Sequence, residues 1–200
     1  LLVTERLVRG APRHELDAVL AHELAHARQH HVLWILLAVL SAVGVLGKIQ
    51  AAIAPWVAAP SSAVAEGASV LAIVLLTLAW FGFVSRVIER QADAHAAVAI
   101  GREIAHAQDE DSGIVHPAGP ACMAAALDRV CALNGADRMR WGFRHGSIAQ
   151  RQRALAALPG TRTDRLPVDR RVRRIKLATL IGLVATAAFL ALGLLQGWLG

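Results

Sequence analysis

Three long stretches almost free of charge limit what this chain can fold into. Val32–Ala54 is apolar apart from Ser41, Lys48 and Gln50, Gly67–Val84 has no charged side chain, and Leu177–Leu199 is a third stretch of the same kind. A helix needs about 20 mostly apolar residues to cross the hydrocarbon core of a bilayer. Each stretch is therefore predicted to span a membrane, the second at close to the minimum length. Trp34, Trp56, Trp80 and Trp198 lie near the ends of these stretches, where indole rings settle among lipid headgroups. Lys48 must then snorkel or face protein. The composition agrees: 56% hydrophobic and 18% charged residues, with a mean hydropathy of +0.47, are far from an ordinary soluble domain. The expected fold is mainly α and multi-pass, with residues 32–84 forming a hairpin (spans 32–54 and 67–84) and 177–199 a third transmembrane helix. Gly193 and Gly197 in that helix would allow a close helix neighbour.

The placement of charge decides what the net charge of +6 means. Seven basic residues fall between Arg162 and Lys176, directly before the third apolar stretch. That placement attracts anionic headgroups and fixes topology, so no nucleic-acid partner is expected. Arg13 and Arg28 precede the first stretch and Arg86 and Arg90 follow the second, whereas Pro55–Glu66 between them carries neither Lys nor Arg. By the positive-inside rule the regions outside the hairpin face the cytoplasm, and the Ala/Arg/Leu-rich composition favours a bacterial inner membrane. Cys122 and Cys131 have the spacing of neither a metal nor a redox pair and read as small buried hydrophobes in a reducing compartment. Opening at Leu1 without methionine, the sequence reads as a fragment of a longer chain, and that end lacks the pattern of a signal peptide.

On the cytoplasmic side the chain carries Ala21-His22-Glu23-Leu24-Ala25-His26-Ala27. Pro12 suits the first turn of a helix and Glu15 and Asp17 suit its positive end, so a helix is predicted from about Pro12 to His30. One turn, roughly 6 Å of rise, separates His22 from His26, and both rings project from one face towards a single ion. Glu23 falls beside that ion without binding it, the place for a general base acting on a water that zinc acidifies. The preceding Leu1-Leu2-Val3-Thr4 is predicted to be a strand, a small β element whose edge would hold a substrate in extended form or simply pack. Residues 1–31 thus form one expected segment, a strand followed by the active-site helix.

A catalytic zinc takes three protein ligands and one open position. The third must lie on the same side of the membrane, before Val32 or after Val84. Ser85-Arg86-Val87-Ile88-Glu89-Arg90-Gln91-Ala92-Asp93 supplies it. On a helix Ser85, Glu89 and Asp93 share a stripe, so Glu89 can reach the metal while Asp93 accepts a hydrogen bond from a ligating histidine. The expected set is therefore His22, His26 and Glu89 around one Zn2+, with Asp93 behind them. Residues 85–176 form the cytoplasmic remainder. There Ala121–Leu133 reads as a helix closed by Asn134-Gly135, and Ser147-Ile148-Ala149-Gln150 as a capping box opening a helix that Pro159-Gly160 ends. Asp109–Pro120 reads as a loop. His30 and His31 are expected to be interfacial, and His14, His95, His106 and His116 to be surface or packing residues.

The helix around His22–His26, the Ser85-Arg86 segment with Glu89, Ala92 and Asp93, and the apolar hairpin between them resemble the HtpX-like and CAAX-prenyl-protease-like integral membrane zinc metallopeptidases. The resemblance covers Leu1 to about Leu158 and implies a zincin-like core in which Glu89 is the glutamate ligand and Asp93 its supporting aspartate. His145-Gly146-Ser147-Ile148-Ala149-Gln150-Arg151 is similar to the His-Pro-Ser segment and following Arg of such families, with Gly146 in place of proline. It implies that His145 and Arg151 bind substrate or stabilise the oxyanion. The other reading of the same residues pairs Arg151 with a nearby carboxylate and leaves His145 as the residue before a helix cap.

The expected activity is a membrane-embedded zinc endopeptidase acting on proteins or peptides at the cytoplasmic face of the bilayer. The resemblance implies a role in membrane-protein quality control, with cleavage of prenylated peptides as the other family activity. A metal transporter would need ligands inside the apolar stretches, which offer only Lys48, Gln50, Gln196 and a few hydroxyls. A sensor or scaffold that binds zinc without turnover would carry the same ligands. Substrate and oligomeric state are not legible in the sequence.

Overall fold

Helices carry most of the described residues. The computed structural model describes residues 10–56, 63–108 and 113–195, and the strand expected at Leu1–Thr4 lies outside them. Among the described residues there is no strand, only two isolated antiparallel bridges, Ile114 with Arg162 and Gly142 with Gly146. The elements are α1 (Arg13–Arg28), α2 (His31–Ile53), a 3-10 turn (Ala54–Trp56), α3 (Ala63–Ala107), α4 (Ala118–Leu133), α5 (Ile148–Ala156) and α6 (Pro167–Leu195).

Two of these helices ignore the boundaries of the apolar stretches. α3 is one helix of 45 residues, about 67 Å long, that continues past Val84 through the second motif to Ala107. α6 opens at Pro167, so the basic residues from Arg170 to Lys176 ride on the same helix as the third apolar stretch. Composition changes at Ser85 and Leu177, but no proline interrupts the helix at either point. Shorter signals behave as expected. Gly135 takes φ +58 just past α4, and the Ser147 side chain accepts the Gln150 N–H at the start of α5. α4 begins at Ala118, with Pro120 in its first turn, and the His116 ring nitrogen Nδ1 accepts the Ala118 N–H.

The chain divides into two compact units. The first comprises Leu1–Val32 and Ser85–Val172. Here α1 packs on α4 and α4 on α5, around Ala18, Ala97, Met123, Leu127, Leu155 and Leu166. Small residues let the backbones approach closely: a Cβ on Gly119 would collide with the Ala97 carbonyl. Glu15, buried in the first turn of α1, accepts from Arg129 Nε of α4 at 2.9 Å and fixes the register of the pair. Cys122 and Cys131 are free thiols on α4, the second of them buried.

The second unit comprises Leu33–Val84 and Arg173–Gly200. Within it α2 and α6 meet at small residues, since a Cβ on Gly44 would run into Thr186 and one on Gly182 into Ser41. The close approach falls on these two glycines, and Gly197 lies outside the described residues. Lys48 resolves its predicament by placing Nζ 3.7 Å above the Phe189 ring. Most aliphatic side chains of this unit, such as Leu36, Leu71 and Ile181, remain exposed. Three helices, containing His31–Ile53, Ala63–Ala107 and Pro167–Leu194, are long and apolar enough to cross a membrane.

Candidate metal centre

The site forms where α1 meets the middle of α3 within the first unit. One helical turn brings the His22 and His26 rings to a centroid separation of 4.8 Å, with their Nε2 atoms 3.2 Å apart. From α3, Glu89 places Oε2 3.7 Å from His22 Nε2 and Oε1 3.6 Å from His26 Nε2. One donor atom from each of the three lies within 4.8 Å of the others, the only such group among the described residues. Bonds of about 2.0–2.1 Å from a tetrahedral zinc hold its nitrogens about 3.3 Å apart, so the two imidazoles already stand at the edge length of a zinc tetrahedron. The donor set, two imidazoles and one carboxylate, is also the chemistry of a catalytic zinc with an open fourth position.

Asp93, one turn beyond Glu89 and fully enclosed, carries the charge balance of the site. Arg151 from α5 grips it bidentately, Nε to Oδ2 at 2.7 Å and Nη2 to Oδ1 at 2.6 Å, and holds Nη1 3.6 Å from Glu89 Oε2. Burial pushes the Asp93 carboxyl up, but the Arg151 guanidinium outweighs it and holds the pKa at about 2. Asp93 Oδ1 also lies 3.0 Å from His22 Nδ1, close in distance but off the line of an N–H···O bond. For Glu89 burial again acts upward, and the hydrogen bond from His145 with the charge of Arg151 brings the pKa below its ordinary value. Burial, then the neighbouring His22, lowers that of His26, favouring the neutral ring a metal needs.

His145 reaches Glu89 from the exposed side, its Nδ1 3.0 Å from Oε1. A tight hairpin delivers it. Gly142 and Gly146 exchange both backbone hydrogen bonds, at 3.1 and 2.9 Å, and Arg86 pins the tip by donating to the Phe143 carbonyl and lying over the Trp141 ring. Gly146 adopts φ +71 and donates its N–H there, two things proline cannot do. The glycine that departs from the family pattern is the residue this hairpin requires.

The structure therefore brings His22, His26, Glu89, Asp93, His145 and Arg151 together. Arg151 donates twice to Asp93 and keeps Nη1 3.6 Å from Glu89. Glu23 follows His22 directly, half-buried and near enough to act electrostatically on His26. Sequence reasoning missed the surroundings of His26. His31, expected at an interface, is wholly buried with Nδ1 3.0 Å from His26 Nδ1, and Gln91, Asp169 and His95 follow behind it. The available signal was Gln91 itself, an uncharged polar residue between Arg90 and Ala92 in the second motif. The description of peptidase family M48 matches residues 1–158. No curated protein and no solved structure matches the chain.

Proposed function

The chain belongs to peptidase family M48 and is a metallopeptidase, and from that premise we propose that it is a zinc-dependent endopeptidase of a membrane, with His22, His26 and Glu89 as the metal ligands. The observation that carries this reading is the convergence of those three donors, two on one helix and one some sixty positions away, at zinc-like spacing. Bound there, zinc supplies Lewis acidity that lowers the pKa of water to about 7 and polarises a peptide carbonyl. Glu23, on the same turn as His22 but outside the donor group, takes the proton of the attacking water and returns it to the leaving amide nitrogen. Asp93, 3.0 Å from His22 Nδ1, acts on the ring by its charge, and Arg151 keeps Asp93 ionised and fixed. His145, exposed and at the rim, is placed to donate to the substrate carbonyl or its developing oxyanion.

The three long apolar helices and their exposed aliphatic surface support insertion in a bilayer. Arginine and lysine outside the hairpin, with none in Pro55–Glu66, support an active site facing the cytoplasm of a bacterial cell. Such a site would act on membrane proteins under quality control. The test is cleavage of casein by the detergent-solubilised chain with and without chelator. The wild type should cleave, chelator should abolish cleavage and zinc restore it, and Glu23→Gln should bind zinc normally while losing at least about a thousandfold in rate. Full activity in Glu23→Gln, or cleavage indifferent to chelator, would refute the assignment.

A further inference from the structure

Each imidazole has two nitrogens, and in His26 both are engaged. Nε2 faces His22 and Glu89, whereas Nδ1 lies 3.0 Å from Nδ1 of His31. His31 in turn places Nε2 3.0 Å from Gln91 Oε1. Gln91 donates from Nε2 to Asp169 Oδ1 at 2.7 Å, and His95 Nε2 meets the same oxygen at 3.1 Å. His31 and Gln91 are buried, and the Asp169 side chain is 26% exposed.

A local break in the backbone makes the first of these contacts. In an unbroken helix the fifth residue on lies about 140° around the axis, so His31 would point away from His26. Between α1 and α2 the chain turns instead, with His30 at φ +53, a left-handed value rare for a side-chain-bearing residue. That turn swings the His31 ring back under His26.

Proton positions then follow from the contacts. A neutral His26 that offers the Nε2 lone pair to a metal carries its proton on Nδ1 and donates to His31 Nδ1. His31 must therefore be protonated on Nε2, where the Gln91 carbonyl oxygen accepts. A carboxylate only accepts, so the Gln91 amide nitrogen is the atom that faces Asp169. All three bonds point the same way, from the metal ligand outward to an anion.

We propose that His31, Gln91 and Asp169 are positioning residues that lock His26 in the Nδ1–H tautomer and, through the charge of Asp169, strengthen Nε2 as a donor to a divalent metal. The proposal rests on the reading of His26 as a zinc ligand. Histidine ligands are tuned by whatever accepts from their second nitrogen. Here the acceptor is a relay of neutral groups that ends on the first turn of α6. Asp169 lies beyond residues 1–158, the part matched by the family, so this support belongs to the chain's own carboxy-terminal helix.

Two measurements on the full chain in detergent micelles test it. In the zinc-loaded wild type, histidine ring 15N NMR should show a protonated Nδ1 on His26 and a protonated Nε2 on His31. A His31 protonated on Nδ1 would overturn the relay without any substitution. Zinc affinity, read by competition with a chromophoric chelator, should fall about 10- to 100-fold in His31→Ala and less, about 3- to 10-fold, in Asp169→Asn, whose effect crosses two more bonds. Both variants within about twofold of wild type would also overturn it. Failure of the wild type to bind zinc would instead remove the metal-site reading itself, and the relay with it.

Discussion

The two histidines of the candidate site sit one turn apart on one helix, yet the protein surrounds them differently. Behind His22 stands a charged pair, Asp93 clamped by Arg151, both almost wholly buried. Behind His26 stands a neutral series, His31 and Gln91, that defers the charge to Asp169 near the surface. A buried ion pair depends on both of its members, because removing one leaves the other unpaired at low dielectric. A series of neutral hydrogen bonds loses its influence by degrees. The difference teaches that two histidines of one candidate metal site can be held by an all-or-none device and a graded one.

The largest effect should come from breaking the ion pair. Arg151→Ala leaves Asp93 buried without its partner and should cost about 3–5 kcal/mol, measured by denaturant unfolding in micelles. Asp169→Asn, at a side chain 26% exposed, should cost about 1 kcal/mol or less. Equal losses in the two variants would erase the contrast.

A smaller effect should appear with pH. The Asp93 carboxyl is depressed to about 2 from its ordinary 3.8. A depressed carboxyl stabilises the fold above its unfolded-state pKa and ceases to do so as pH falls through the folded value. The metal-free protein should therefore lose on the order of 2 kcal/mol between about pH 4 and pH 2, and Asp93→Asn should flatten that part of the profile. A profile unchanged by Asp93→Asn would place the acid sensitivity elsewhere.

What the sequence disclosed were features encoded within a helical turn or two. The spacing of His22 and His26, the stripe joining Glu89 to Asp93, the Ser147 cap and the Asn134-Gly135 ending are all local, and periodicity reads them directly. Hidden from it were contacts set by tertiary packing. His31 meets Gln91 sixty positions later, and Gln91 meets Asp169 seventy-eight positions later. No pattern signals either, and the left-handed His30 that turns His31 inward is not a glycine. The extents of α3 and α6 were likewise hidden, because hydropathy marks where a membrane would end and not where a helix does. Arg151 stood between two readings until α5 was seen to lay it against Asp93.

Zinc K-edge X-ray absorption on protein loaded with one equivalent of metal tests the centre most directly. His22, His26 and Glu89 as ligands predict a four-coordinate zinc with two imidazole nitrogens at about 2.0–2.1 Å, the remaining positions being oxygen from Glu89 and water. Three or more imidazoles would mean that His145 or His31 binds the metal, and a sulfur scatterer would bring in Cys122 or Cys131. Either would contradict the site built on these three residues.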